Sequence, residues 1–179
     1  MAVDPLLRAW TGSAFRHIPC GPQFDVLDLR VAGQGHENRW NDAGEPTLYL
    51  AGDRAVALGE FARHYRENRG MALARARNAR QVYRLDLRLE RLLDLRDSRV
   101  LMELALDGAP ACFLDKPTAR RAAQRVRLAS AAQGILVPSM AFLDEPTRWA
   151  LVLFLDKLPA DPRAYITAVA AEGAFLVDG

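Results

Sequence analysis

Between residues 82 and 89 apolar and charged side chains alternate without a break: Tyr83, Leu85, Leu87 and Leu89 on one parity, Arg84, Asp86 and Arg88 on the other. A period of two sends successive side chains to opposite faces, so this segment is predicted to be a strand with one buried face. A second segment, 149–155, is apolar throughout and reads as a central strand. Shorter strands are expected at 26–31, at 47–51 and at 135–139, the last ending abruptly at Pro138.

Helical signals lie between them. Asp53 is an N-cap candidate for a helix running to about Asn68 and stopped by Gly70, with Leu58, Phe61, Ala62 and Tyr65 as its apolar stripe and Glu60 on another flank. Further helices are expected at 98–106, at 118–133 with Ala122, Val126 and Ala129 inward and Gly134 as the stop, and at 161–172. Apart from 26–31, the first 46 residues are expected to be irregular but ordered, being rich in glycine and proline yet carrying Trp10, Phe15, Phe24 and Trp40. Strands and helices mix without a βαβ rhythm. The expected fold is α+β, one domain over residues 1–179, with a mixed or antiparallel sheet and flanking helices.

Composition removes whole classes of function. A chain of 179 residues that is 50% hydrophobic and 26% charged is neither fibrous, disordered nor a small disulfide scaffold. No apolar run approaches membrane-spanning length, and the N-terminus does not read as a signal peptide. Cys20 and Cys112 lie far apart and are expected to be reduced thiols, which points to the cytoplasm. The net charge of +2 gives no argument for nucleic acid. Of the basic residues only Lys116 and Lys157 are lysines; residues 63–99 hold 11 arginines against five acids, but only Tyr65 and Tyr83 as stacking aromatics, so a salt-bridged face is expected there. The three histidines lack metal-site spacing, and Ser139 lies in Pro-Ser-Met rather than a nucleophile elbow. No metal is expected.

Three blocks remain. Asn38-Arg39-Trp40-Asn41-Asp42-Ala43-Gly44 precedes the Tyr49 strand; Ala57-Leu58-Gly59-Glu60 lies on the next helix; Gly134-Ile135-Leu136-Val137-Pro138-Ser139 comes later, before an apolar strand. In order and spacing they resemble the RES-domain family, named for an arginine, a glutamate and a serine. Glu37 and Asn38 stand where glycines often precede the Arg-Trp pair, and Arg16-His17 stands where some members carry Arg-Tyr. The resemblance implies a fold like that of the ADP-ribosyltransferase toxins. It also implies NAD as substrate rather than cofactor, cleaved at the nicotinamide–ribose bond with phosphate or water as acceptor, and a toxin paired with a helix-turn-helix antitoxin. Transfer of ADP-ribose to a protein is the alternative within the family, and a non-catalytic interaction module the alternative outside it. A symmetric dimer is the default assembly.

The chemistry can be weighed on its own terms. Nicotinamide leaves NAD neutral from a cationic pyridinium, so its departure needs no general acid. What is needed is a grip on the diphosphate, suited to the Arg39 fork, and a carboxylate beside the developing ribose cation, suited to Glu60. Tyr49 or Trp40 would stack on nicotinamide, Asn41 and Arg16 would join the binding surface, and Ser139 would position by hydrogen bond. The expected catalytic set is Arg39, Glu60 and Ser139. The duller roles are equally specific: Arg39 tying down a loop, Trp40 and Tyr49 in the core, Glu60 facing solvent, and Ser139 capping a turn.

Overall fold

The structure, a computed structural model, describes residues 3–30, 32–33, 37–67 and 79–175, without the side chains of 65–67. Six strands are hydrogen-bonded in one mixed sheet: β1 (Arg8–Pro19), β2 (Thr47–Ala51), β3 (Arg80–Asp94), β4 (Gly134–Pro138), β5 (Trp149–Phe154) and β6 (Ile166–Phe175). Their order is β1-β2-β5-β4-β3-β6, and β1 pairs with β3 as well as β2, so the first five strands curl into a closed ring with β6 beyond β3. Pairing is antiparallel except between β3 and β4. Helices α1 (Arg54–Glu67), α2 (Ser98–Glu103) and α3 (Lys116–Ala129) flank the sheet.

The apolar run of β5 is a central strand, as expected, and its cause is visible in the packing. Leu151 and Leu153 pack among Leu48, Leu50, Leu85, Leu87 and Leu89 inside the ring, while Val152 and Phe154 pack on the other face with Val126 and Phe113. With both faces covered, no position of β5 has to be polar. In β3, Leu85, Leu87 and Leu89 are buried as the alternation demands, but Val82 rather than Tyr83 is buried at the near end. A register shift against β6 between Gln81 and Tyr83 breaks the parity there.

Four expectations need correction. The first 46 residues are not irregular throughout: β1 spans Arg8–Pro19 and pairs with β3 along its length. Residues 26–30 form turns, not a strand, because the carboxylates of Asp25 and Asp28 accept from Leu27 N and Arg30 N two residues on. Residues 161–172 are not a helix. Asp161 caps a short 3-10 turn at Pro162–Ala164, and the chain then joins the open edge of β3 as β6, with Thr167 Oγ1 donating to Asp86 O at 3.2 Å. Finally, α3 ends at Ala129, which is exposed, and Arg127 takes the inward place. The Asn68 end and Gly70 stop of α1, the Tyr65 side chain, Val31 and His36 lie outside the described residues.

Gly134 begins β4 rather than ending α3. A Cβ there would overlap the Val152 carbonyl oxygen, a backbone atom that cannot step aside without opening the β4–β5 ladder. Gly134→Ala is therefore expected to cost about 2 kcal/mol of stability. Urea unfolding measures it, and an unchanged midpoint would contradict this packing.

Candidate active site

Asp53 caps α1 as expected, its Oδ1 accepting from Val56 N at 2.8 Å. The helix then settles on the sheet through small residues: Val56 and Ala57 are buried with Ala51. A Cβ on Gly59 would lie 2.5 Å from the Phe142 ring, so α1 lies directly against the turn after β4. This geometry corrects the expected stripe. Ala62 is exposed and Leu58 only half-buried, and Glu60, equally half-buried, is turned toward the segment that follows β4. Glu60 Oε1 accepts from Ser139 Oγ at 2.7 Å and from Ala141 N at 2.9 Å. Ser139 is fully buried. Its hydroxyl is thus directed at the carboxylate, and the two donors fix how that carboxylate points.

The loop carrying Arg39 forms the opposite wall. Trp40 is 3% exposed and packs edge-on against Phe113 at 5.0 Å. Tyr49 Oη accepts from Trp40 N at 3.1 Å and donates to Asn41 Oδ1 at 2.7 Å, while the Asn41 amide donates to Gly33 O and Asp42 O. Burial holds the Tyr49 phenol well above its ordinary pKa. Trp40 and Asn41 thus fold the loop, and Arg39 is carried at the cleft wall with Nη1 donating to Phe113 O at 2.6 Å and Leu114 O at 2.8 Å. From α3, Arg120 pairs with Glu37 and Asp42, and Gln124 bonds Asp42, so the loop is fastened on its outer side too.

Between these walls lies a cleft of about 420 Å³. Arg16, Arg39, Trp40, Tyr49 and Glu60 line it, as five of the expected site residues; Ser139 reaches it through Glu60, and Asn41 through Tyr49. Arg16 donates from Nη1 to Val26 O, and burial lowers its pKa from the usual arginine value. Sequence reasoning missed Arg63, Lys116 and Phe61 in the lining, and it paired His17 with Arg16 without giving it a role. Arg63 stands three residues after Glu60, on the same helical face, a signal that was available. Lys116 opens a helix remote in sequence and gave none. The lining carries Arg16, Arg39, Arg63 and Lys116 against Glu37 and Glu60, an excess of positive charge suited to an anion. Among the described residues no group of three His, Cys, Asp or Glu side chains has metal-holding geometry, and no helix is long and apolar enough to cross a membrane.

The family model of the RES domain matches residues 10–178. The chain belongs to the RES-domain family. Within the solved structures this RES domain is similar to a chain of the M.tuberculosis MbcT-MbcA toxin-antitoxin complex, with a TM-score of 0.65 and 16% identity over 94% of this chain and 85% of that one. That likeness is one of fold. No curated protein matches the sequence.

Proposed function

We propose that this RES domain cleaves NAD at the nicotinamide–ribose bond. The C1′–N bond breaks with its electron pair passing to nicotinamide, and an oxygen of inorganic phosphate or water bonds to C1′, the acceptor's proton passing to solvent. NAD is the substrate; no cofactor is needed. The observation that carries this reading is Glu60, a carboxylate oriented by Ser139 and Ala141 N at the wall of a cation-rich cleft. Positive charge in the lining suits the diphosphate, and one fixed negative charge suits the ribose cation that forms as nicotinamide leaves. By the same reading the protein is a cytoplasmic toxin restrained by a separate antitoxin with a helix-turn-helix domain, a role suggested by its family and by the toxin-antitoxin complex it resembles in fold.

Incubation of the purified protein with NAD, with and without phosphate, tests the reading by ³¹P NMR. Release of nicotinamide with ADP-ribose 1″-phosphate identifies phosphorolysis; free ADP-ribose in both arms identifies hydrolysis. Biotinylated NAD added to lysate would label a protein band if the acceptor were a protein. Intact NAD in every arm would refute the proposal. Ser139→Ala is expected to lower kcat about tenfold with KM little changed, because one donor to Glu60 is lost while Ala141 N remains. Equal kcat for the two proteins would mean that the hydroxyl does not position the acid.

A further inference from the structure

His17, on β1, lines the cleft, yet the chemistry above gives it no task. Arg80 on β3 donates from Nε to His17 Nδ1 at 2.7 Å. A guanidinium can only donate, so Nδ1 holds the lone pair, and in the neutral ring the proton sits on Nε2. The ring is fixed edge-to-face by Phe61 of α1 at 4.7 Å and by Phe175 of β6 at 5.9 Å. Burial, reinforced by the charges of Arg80 and of Arg16 on its own strand, lowers its pKa to about 3. Among the described residues nothing accepts from Nε2, and the half-buried residue lines the cleft.

We propose that His17 is a neutral hydrogen-bond donor of the cleft, presenting Nε2–H to the carboxamide oxygen of the nicotinamide of bound NAD. This rests on the NAD reading above. Nicotinamide is bonded to the ribose carbon that Glu60 is placed to serve, so its ring belongs beside Glu60. Phe61 is the next residue of the helix and packs on His17. A pyridinium is repelled by a cationic donor but accepts an aromatic wall and a neutral N–H. Phe15, Phe61 and His17 supply that surface, with the Arg80 charge behind it over the Phe61 ring at 4.9 Å. A ring that stays neutral takes no part in proton transfer; it orients the leaving group.

Imidazole ¹⁵N NMR, with His17 assigned by its loss in His17→Phe, tests the donor directly. The ring is expected to remain the neutral Nε2–H form from about pH 5 to 8, and its Nε2 signal to move when NAD is added. Steady-state kinetics tests the acceptor. His17→Phe keeps the ring packing but has no N–H, so KM for NAD should rise about tenfold with kcat within about threefold. The thionicotinamide analogue, whose sulfur is a poor acceptor, should be far less affected, and His17→Gln, whose amide nitrogen reaches the same place, should recover much of the loss. An Nδ1–H tautomer, titration near the ordinary histidine value, a signal indifferent to NAD, or equal losses for both dinucleotides would overturn the proposal. Wild-type protein that leaves NAD intact refutes the NAD reading itself; wild-type cleavage unaffected by His17→Phe refutes this inference alone.

Discussion

Glu60→Gln is expected to slow NAD cleavage about a thousandfold, equivalent to about 4 kcal/mol of transition-state stabilisation, while the Kd for NAD shifts no more than a few-fold. Glutamine keeps the shape of the side chain, and its carbonyl can still accept from Ser139 Oγ and Ala141 N. What disappears is the negative charge. Ground-state NAD has little use for that charge, since its positive ring is delocalised and the diphosphate would be repelled by an acid. The charge matters when the C1′–N bond stretches and the ribose becomes cationic. The loss should therefore fall on kcat, with binding measured separately by calorimetry. A kcat within tenfold of wild type would remove Glu60 from the chemistry.

The second large effect concerns stability and lies behind the cleft. Arg127→Met is expected to lower the unfolding free energy by about 3 kcal/mol, the lower end of the cost of breaking a buried ion pair. Arg127 is 4% exposed. Its guanidinium pairs with Glu45 at 3.0 Å and Asp156 at 3.1 Å, donates to Pro46 O and Thr47 Oγ1, and lies over the Phe154 ring at 4.5 Å. Both acids retain contact with water, with side chains 25% and 41% exposed, which keeps the penalty below that of a sealed pair. Methionine replaces the aliphatic stem and leaves both acids without their partner. Glu45 also accepts from Asp42 N in the loop that carries Arg39, so weaker NAD binding should accompany the loss. Urea unfolding measures the first effect, and a change below about 1 kcal/mol would contradict the role given to this network.

The difference between what the sequence discloses and what it hides follows the distance over which each feature is determined. The strands at 82–89 and 149–155 are legible because both are written in consecutive residues: a period of two, and an unbroken apolar run. The start of α1 is legible because Asp53 caps a backbone N–H three residues away. Strands β1 and β6 are hidden because their partners are on β3, and because Gly12, Ala14, Ala168 and Ala170 carry too little side chain to display alternation. The tail at 161–172 reads as helix from its alanines, but the open edge of β3 decides otherwise.

The site divides in the same way. Arg39, Glu60 and Ser139 could be singled out by motif, but not their arrangement. Glu60 and Ser139 are 79 residues apart in the chain, and the contact depends on the close seat that Gly59 allows against Phe142. The expected stripe of α1 put Glu60 on another flank because it followed the bulkiest residues, whereas this helix docks through Val56, Ala57 and Gly59. Arg39 fills the duller role considered for it, one nitrogen tying down the carbonyls of Phe113 and Leu114, while the residue also stands in the cleft wall where the proposed grip on the diphosphate would place it.

A crystal structure of the Glu60→Gln protein soaked with NAD is the most direct measurement. The dinucleotide is expected in the cleft between β1, α1 and the Arg39 loop, with its diphosphate among Arg39, Arg63 and Lys116 and the nicotinamide ribose at residue 60. NAD bound elsewhere, or lying in the cleft with its adenosine at residue 60, would contradict the account.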